Sequence, residues 1–145
     1  MRHFTLVTMF ILIALKSYSQ TANTVDGQFS TNIVGSTYQV TIQANMQLGT
    51  GSAGIVAIDF TFNNLGLSIP DPPVIGVDYI LQGDFASYPT HNITRPSSNK
   101  VSVNLASFTP ASLSTTPTAI ILLNFNIIDA GKGLLDFVGP LDNNN

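Results

Sequence analysis

Between Thr37 and Ala44 every second residue is apolar, so that the chain alternates strictly over eight residues. A period of two is the signature of a β-strand with one face buried and the other in water. Similar apolar runs follow at 55–62, 100–105 and 119–128, and turn-forming Gly, Pro, Asn and Ser residues separate them. Short apolar strands punctuated in this way predict an antiparallel sandwich or barrel.

The composition also favours strands over helices. Charged residues make up only 9% of the chain, its acids are all Asp, and Thr, Ser, Asn, Val and Ile are abundant. These residue types are poor helix formers and common in strands and turns. We therefore expect an all-β protein with two antiparallel sheets and about eight or nine strands. The polar stretch 85–94 and the stretch 108–117, rich in Ser, Thr and Pro, are predicted to be loops.

The chain begins with a segment typical of export. Residues 1–19 combine an early Arg2, an apolar run and small residues before Gln20, which is the layout of a helical, cleaved secretory signal peptide. We expect a lead-in with a possible first strand at 20–36 and the sandwich domain at 37–139. The last strand is predicted at Leu134–Val138, and 140–145 reads as a tail.

Charge and cysteine content exclude several classes of function. The chain carries a net charge of −3 and has no Cys. Binding to nucleic acid needs clustered Lys and Arg, which are missing, and an anionic membrane surface is an equally poor partner. Zinc–thiolate sites, iron–sulfur clusters and cysteine nucleophiles are excluded.

Four of the strand-like segments resemble a known family. They are 38–44, 59–63, 100–104 and 122–127. In these segments the chain resembles the cohesin-like and carbohydrate-binding-module-like β-sandwich domains, of jelly-roll type, of secreted bacterial proteins. Its signal looks like those of exported Bacteroidetes proteins. The resemblance implies a secreted or cell-surface module, not an enzyme, that serves adhesion, spacing or protein assembly by binding a protein or a glycan.

Catalytic groups are scarce. After cleavage of the signal, His91 is the sole histidine, and no Gly-x-Ser-x-Gly elbow accompanies it. Asp59 and Asp84 are the candidates for a pair of carboxylates in acid–base chemistry. We expect no enzymatic activity.

One stretch, 79–92, resembles a ligand site because it combines aromatic rings with hydrogen-bonding side chains. Its candidate residues for binding a glycan are Tyr79, Gln82, Asp84, Phe85, Tyr88, His91 and Asn92. The alternative is that Tyr79 and Phe85 fill the core of the sandwich, and the lack of Trp favours that alternative.

Calcium is the one cofactor that the sequence allows. Asp71, Asp78 and Asp84 follow one another in a region predicted to be mainly loop, and carboxylate oxygens are the ligands that Ca²⁺ prefers. They lack the every-second-residue spacing of a dedicated calcium loop, so the alternative is that they are solvated loop acids.

Overall fold

The computed structural model describes residues 25–132, which fold into two antiparallel β-sheets packed face to face. This confirms the predicted all-β, two-sheet class. The predicted signal peptide at 1–19, the strand at Leu134–Val138 and the tail at 140–145 lie outside the described residues. Within 25–132, no helix has the length and apolar character needed to cross a membrane.

The described part of the chain contains eight strands and two short 3₁₀ helices. The strands are β1 Val25–Val34, β2 Thr37–Met46, β3 Gly51–Thr61, β4 Leu67–Ser68, β5 Tyr79–Leu81, β6 Thr90–Ser97, β7 Lys100–Leu113 and β8 Thr118–Ile127. The 3₁₀ helices span Gly83–Ser87 and Ala130–Lys132. The sandwich therefore includes a strand N-terminal to residue 37.

The larger sheet is built around β8. Its strands follow the order β1-β2-β8-β4, and β5 also pairs with β8. β8 has a neighbouring strand on each side. Such an inner strand often carries apolar residues on both of its faces, as Ile120 and Leu122 do in β8. The smaller sheet has the order β3-β7-β6, so that β3 and β6 are its outer strands.

The core lies between the two sheets and is richest in aromatic rings near the middle. Phe125 of β8 contacts Phe60 of β3 and Phe62, which directly follows β3, with ring centroids 6.4 and 5.0 Å apart. These tilted and edge-to-face contacts cross from one sheet to the other. Because the chain has no disulfide, we infer that this packing supplies most of the force that holds the sheets together.

Two predicted loops are strands. Residues 90–94 belong to β6, and residues 108–113 belong to the second half of β7. β6 has a mostly polar sequence and contains Pro96, but it is an outer strand, where a proline that cannot donate a backbone hydrogen bond is tolerated.

The pairing of β3 with β7 contains a large bulge. Ala53 pairs with Ala111 and Ile55 pairs with Ala106, so that Gly54 alone lies opposite the four residues Ser107–Pro110 of β7. The excess residues of β7 have no partner positions in β3 and are pushed out of the sheet. Phe108 is carried outward on this protrusion.

Candidate functional site

The rings of the predicted ligand stretch are in the core. The side chains of Tyr79, Phe85 and Tyr88 are only 5%, 0% and 3% exposed. Stacking on a sugar needs an exposed ring face, so these three rings do not form the predicted glycan platform. The structure agrees with the alternative that they fill the sandwich core.

The hydroxyl of Tyr88 binds two strands of the smaller sheet, and that of Tyr79 joins β5 of the larger sheet to β6 of the smaller one. Tyr88 donates a hydrogen bond to the Ala53 carbonyl and accepts one from the Ala111 amide at 2.9 Å. Tyr79 Oη lies 2.9 Å from His91 Nδ1. Burial raises the pKa of the Tyr79 hydroxyl, which stays protonated. His91 is therefore held in a structural contact rather than placed beside a nucleophile.

The remaining members of the predicted ligand stretch are dispersed. Gln82 donates to the Ile80 carbonyl, Asp84 lies exposed on the short 3₁₀ helix, and Asn92 is exposed on the outer face of β6. The seven candidates thus do not share one surface, because the chain crosses from the larger sheet to the smaller one between Leu81 and Thr90.

The three aspartates of the predicted calcium site are not gathered into a cluster. Asp78 is 8% exposed, and its Oδ2 accepts a hydrogen bond of 2.8 Å from the Val74 amide. Asp71 lies exposed in its loop, and Asp84 lies on the 3₁₀ helix. In residues 25–132 no three carboxylates or histidines come together as a metal site would require.

Asp59 is not suited to the role of a general acid. Its Oδ2 lies 2.7 Å from Lys100 Nζ, and its Oδ1 accepts a hydrogen bond from Ser102. Hydrogen bonds from Lys100 and Ser102 hold the pKa of the Asp59 carboxyl below its usual value, so it is ionised at neutral pH. A general acid needs the opposite shift.

The arrangement around Asp59 predicts a specific pH dependence of stability. Since its pKa is lowered in the folded state, the carboxylate stabilises the protein above its unfolded pKa, near 3.8, and this contribution is lost as the pH falls through the folded pKa. The difference in Tm between the wild type and Asp59→Asn should therefore shrink between about pH 7 and about pH 2.

Thermal unfolding followed by circular dichroism measures this difference, and Asp84→Asn is the control at an exposed aspartate. We expect a small effect, because Asp59 and Lys100 are both more than a third exposed. A Tm difference for Asp59→Asn that stays constant across this range would contradict the assignment.

Asp59 lies on the outer face of the smaller sheet, on which no other strand or helix of residues 25–132 packs. Three rows of residues run across it in register, from β3 through β7 to β6. They are Thr61 and Lys100; Asp59, Ser102 and Thr94; and Ala57, Asn104 and Asn92. We call this surface the docking face. Its side chains are small or polar, and its charge is confined to the Lys100 end.

The sheet continues beyond the docking face into an apolar region. The next row is Ile55, Ala106 and Thr90, followed by the bulge that carries Phe108. Ile55 is 78% exposed and Phe108 is 106% exposed. We call Ile55, Pro89, Ala106, Phe108 and Pro110 the Phe108 patch. Neither surface is marked in the sequence, because Asn, Ala and Ser in strands carry no distinctive motif.

The outer face of the larger sheet carries two pairs of hydrogen-bonded amides. Gln39 donates to Asn124 at 3.2 Å, and Gln28 donates to Asn45 at 3.1 Å. Asn124 in turn donates to the Val77 carbonyl at 2.7 Å. These contacts link β1 to β2, β2 to β8, and β8 to the loop before β5.

Residues 25–132 thus form a two-sheet antiparallel β-sandwich whose smaller sheet has a mostly uncharged outer face. The chain is similar to the solution structure of CaCohA2 from Clostridium acetobutylicum, at 15% identity and a TM-score of 0.47, over 70% of this chain and 65% of that one. It is also similar to the crystal structure of the complex of CaDoc0917 with CaCohA2, at 18% identity and a TM-score of 0.46, over 70% and 71% of the two chains. No family model and no curated protein matches the chain.

Proposed function

We propose that this chain is a non-catalytic protein-binding module, exported by its predicted signal peptide, that serves assembly or adhesion at the outside of a cell. Its docking face binds a protein partner. The observation that carries the proposal is the exposed row of Asn92 and Asn104 on the outer face of the smaller sheet, next to the small side chain of Ala57.

The chemistry of the docking face indicates what it would accept. At its centre, Ala57 is small and the two Asn side chains offer both donors and acceptors, so a partner's backbone and polar side chains can approach closely. At one end, Lys100 and Asp59 form an exposed ion pair. On binding, each of the two could instead pair with an opposite charge of the partner. The partner that fits is a polar protein surface with few charges at its centre.

Two other functions are less compatible with the same geometry. A glycan site built on Tyr79, Phe85 and Tyr88 would need exposed rings, and these rings are buried. A carboxylate pair for hydrolysis would need a protonated member, and the hydrogen bonds from Lys100 and Ser102 favour the ionised form of Asp59. Protein binding needs neither feature.

Selection of a phage-displayed random peptide library on the immobilised protein tests the proposal. Asn104→Arg places a long, charged side chain in the middle of the docking face without disturbing the core. We expect the selected peptides to lose at least about tenfold in affinity for Asn104→Arg, because an unpaired charge must then be desolvated on binding. Calorimetry or surface plasmon resonance measures the loss.

The matched control is Thr41→Arg, which makes the same change at an outward position of β2 on the other sheet. Peptides should bind this variant as they bind the wild type, and both variants should melt close to the wild-type temperature. Peptides that tolerate Asn104→Arg but are lost on Thr41→Arg would place binding on the wrong sheet and overturn the proposal.

A further inference from the structure

One side of the sandwich holds an apolar groove between β1 of the larger sheet and β3 of the smaller one. Within residues 25–132, β1 pairs with β2 alone and β3 pairs with β7 alone, so each is the outermost strand of its sheet. Val25 and Gly27 line the groove from β1, residues 52–58 line it from β3, and the core residues Phe85 and Leu113 lie at its base. Its volume is about 340 Å³. We call it the edge groove.

The lining of the edge groove defines what can fill it. None of the residues that line it is charged. Consecutive residues of β3 take part, although their side chains alternate between the two faces of the sheet, so the groove follows the outer edge of the strand. Such an edge offers backbone N–H and C=O groups to a further strand. The occupant that fits is therefore an extended segment with apolar side chains on one face.

The chain itself leads to this edge. Lys132, the last residue that the structure describes, lies at the C-terminal end of β3, because the side-chain amide of Asn63 donates a hydrogen bond to the Lys132 carbonyl. A segment that continues from there along β3 runs antiparallel to it. Two extended strands advance equally per residue, so residues 137–141 come level with about 54–58, the stretch that lines the edge groove.

The sequence that follows the described residues has the pattern that the edge groove requires. Leu135, Phe137 and Leu141 fall on one face of an extended chain, and Asp136 falls on the other. Apolar residues at every second position indicate a strand with one buried face. Pro140 is compatible with this arrangement if the strand is the outermost one, where a missing backbone donor is tolerated.

We propose that residues 134–141 form a further strand of the smaller sheet, paired antiparallel with β3, and that Phe137 and Leu141 fill the edge groove. The covalent link through Lys132 favours this occupant over a second copy or another protein. A segment tethered so close to its site acts at an effective concentration of about 1 mM, and a separate chain must displace it.

This strand widens the docking face from three strands to four. Residues that alternate with Phe137 point to the same side as Asp59, so Asp136 adds a carboxylate at the end of the docking face that carries Lys100. A partner that fits the wider face carries a basic group at this position. This consequence rests on the proposed function, whereas the pairing with β3 does not.

Engineered disulfides test the pairing, because the chain has no native Cys. In the full chain, Val138→Cys is combined in turn with Ile55→Cys, Ala57→Cys and Asp59→Cys, which replace outward side chains of β3. A disulfide needs Cα atoms within about 7 Å of each other, so we expect at least one of these pairs to form a bond within the chain on mild oxidation. Val138→Cys with Thr41→Cys, on the other sheet, is the control and should stay reduced.

A single Trp measures the burial of the same segment, since the chain contains none. Native Phe137→Trp should emit at a shorter wavelength than the same variant in urea and resist quenching by acrylamide. Val138→Trp, whose ring points outward, should show neither effect. Disulfides that form in none of the three pairs or only between chains, or a Trp at 137 as exposed as one at 138, would rule out the pairing. Peptide binding at the docking face is decided separately, by Asn104→Arg.

Discussion

Phe125→Ala should lower the free energy of unfolding by about 3–5 kcal/mol, the typical cost of removing a fully buried aromatic side chain. Phe125 is fully buried and contacts Phe60 and Phe62 on the opposite sheet. The loss therefore falls on contacts between the sheets and leaves a cavity that the rigid β-strands cannot close. Since a domain of this size is stable by only about 5–15 kcal/mol, and no disulfide limits the unfolded state, the variant is expected near the threshold of folding.

Urea denaturation followed by circular dichroism measures this effect. Phe125→Leu, which keeps most of the volume, should cost clearly less, about 1–1.5 kcal/mol. The ratio of the two losses in unfolding free energy is informative, because it separates the cost of the cavity from a general sensitivity of β8 to substitution. Equal losses for the two substitutions would show that the ring contacts contribute little.

Tyr88→Phe should cost about 2–3 kcal/mol, although it removes a single oxygen atom. The Tyr88 hydroxyl lies between two backbone groups, donating to the Ala53 carbonyl and accepting from the Ala111 amide. Ala111 is buried, so its amide would lose its partner where water cannot replace it. An unsatisfied buried group costs about 1–3 kcal/mol.

Tyr79→Phe is the comparison for this prediction. Its hydroxyl contacts one partner, His91 Nδ1, which is only half-buried and can turn to water. We expect a loss of about 1 kcal/mol, less than half of that for Tyr88→Phe. Hydrogen exchange at the Ala111 amide provides a second measurement, and protection there that persists in Tyr88→Phe would argue against the role given to the hydroxyl.

The sequence predicts the strands that bury one face and expose the other. The alternation at 37–44 and the apolar run at 119–128 correspond to β2 and β8, and β8 lies inside the larger sheet with strands on both sides. The alternation of apolar and polar residues does not show which strands pair with each other. Gln39 and Asn124 are 85 residues apart, yet they are neighbours in the sheet.

The misassigned strands have a common physical cause. β6 is an outer strand and has few buried side chains: Ile93 is buried, His91 is partly buried, and most of the other residues are polar. β7 continues past a bulge that contains Pro110. In both cases the pairing with a neighbouring strand overrides a sequence that, read alone, indicates a loop.

The candidate site was harder to predict than the fold. The stretch 79–92 was predicted as a ligand site because of its aromatic residues. The apolar surface of an aromatic ring, however, can pack in a protein core as well as against a ligand. Asn92 was predicted as part of the stretch 79–92, whereas in the structure it lies exposed beside Asn104 on the smaller sheet. The placement of a residue on an open face depends on which strands flank it, and that information is distributed over the whole chain.

The ion pair between Lys100 and Asp59 has a practical consequence for handling the protein. Lys100 and Lys132 are the only lysines in residues 25–132. Reagents that acylate amines, including those used to attach biotin or to couple proteins to sensor chips, therefore have few targets on this part of the chain, and one of them lies on the docking face. Coupling there would neutralise the lysine, release the Asp59 carboxylate and turn the docking face toward the support. A terminal tag avoids this orientation, and a loss of binding after amine coupling should not be read as absence of a partner.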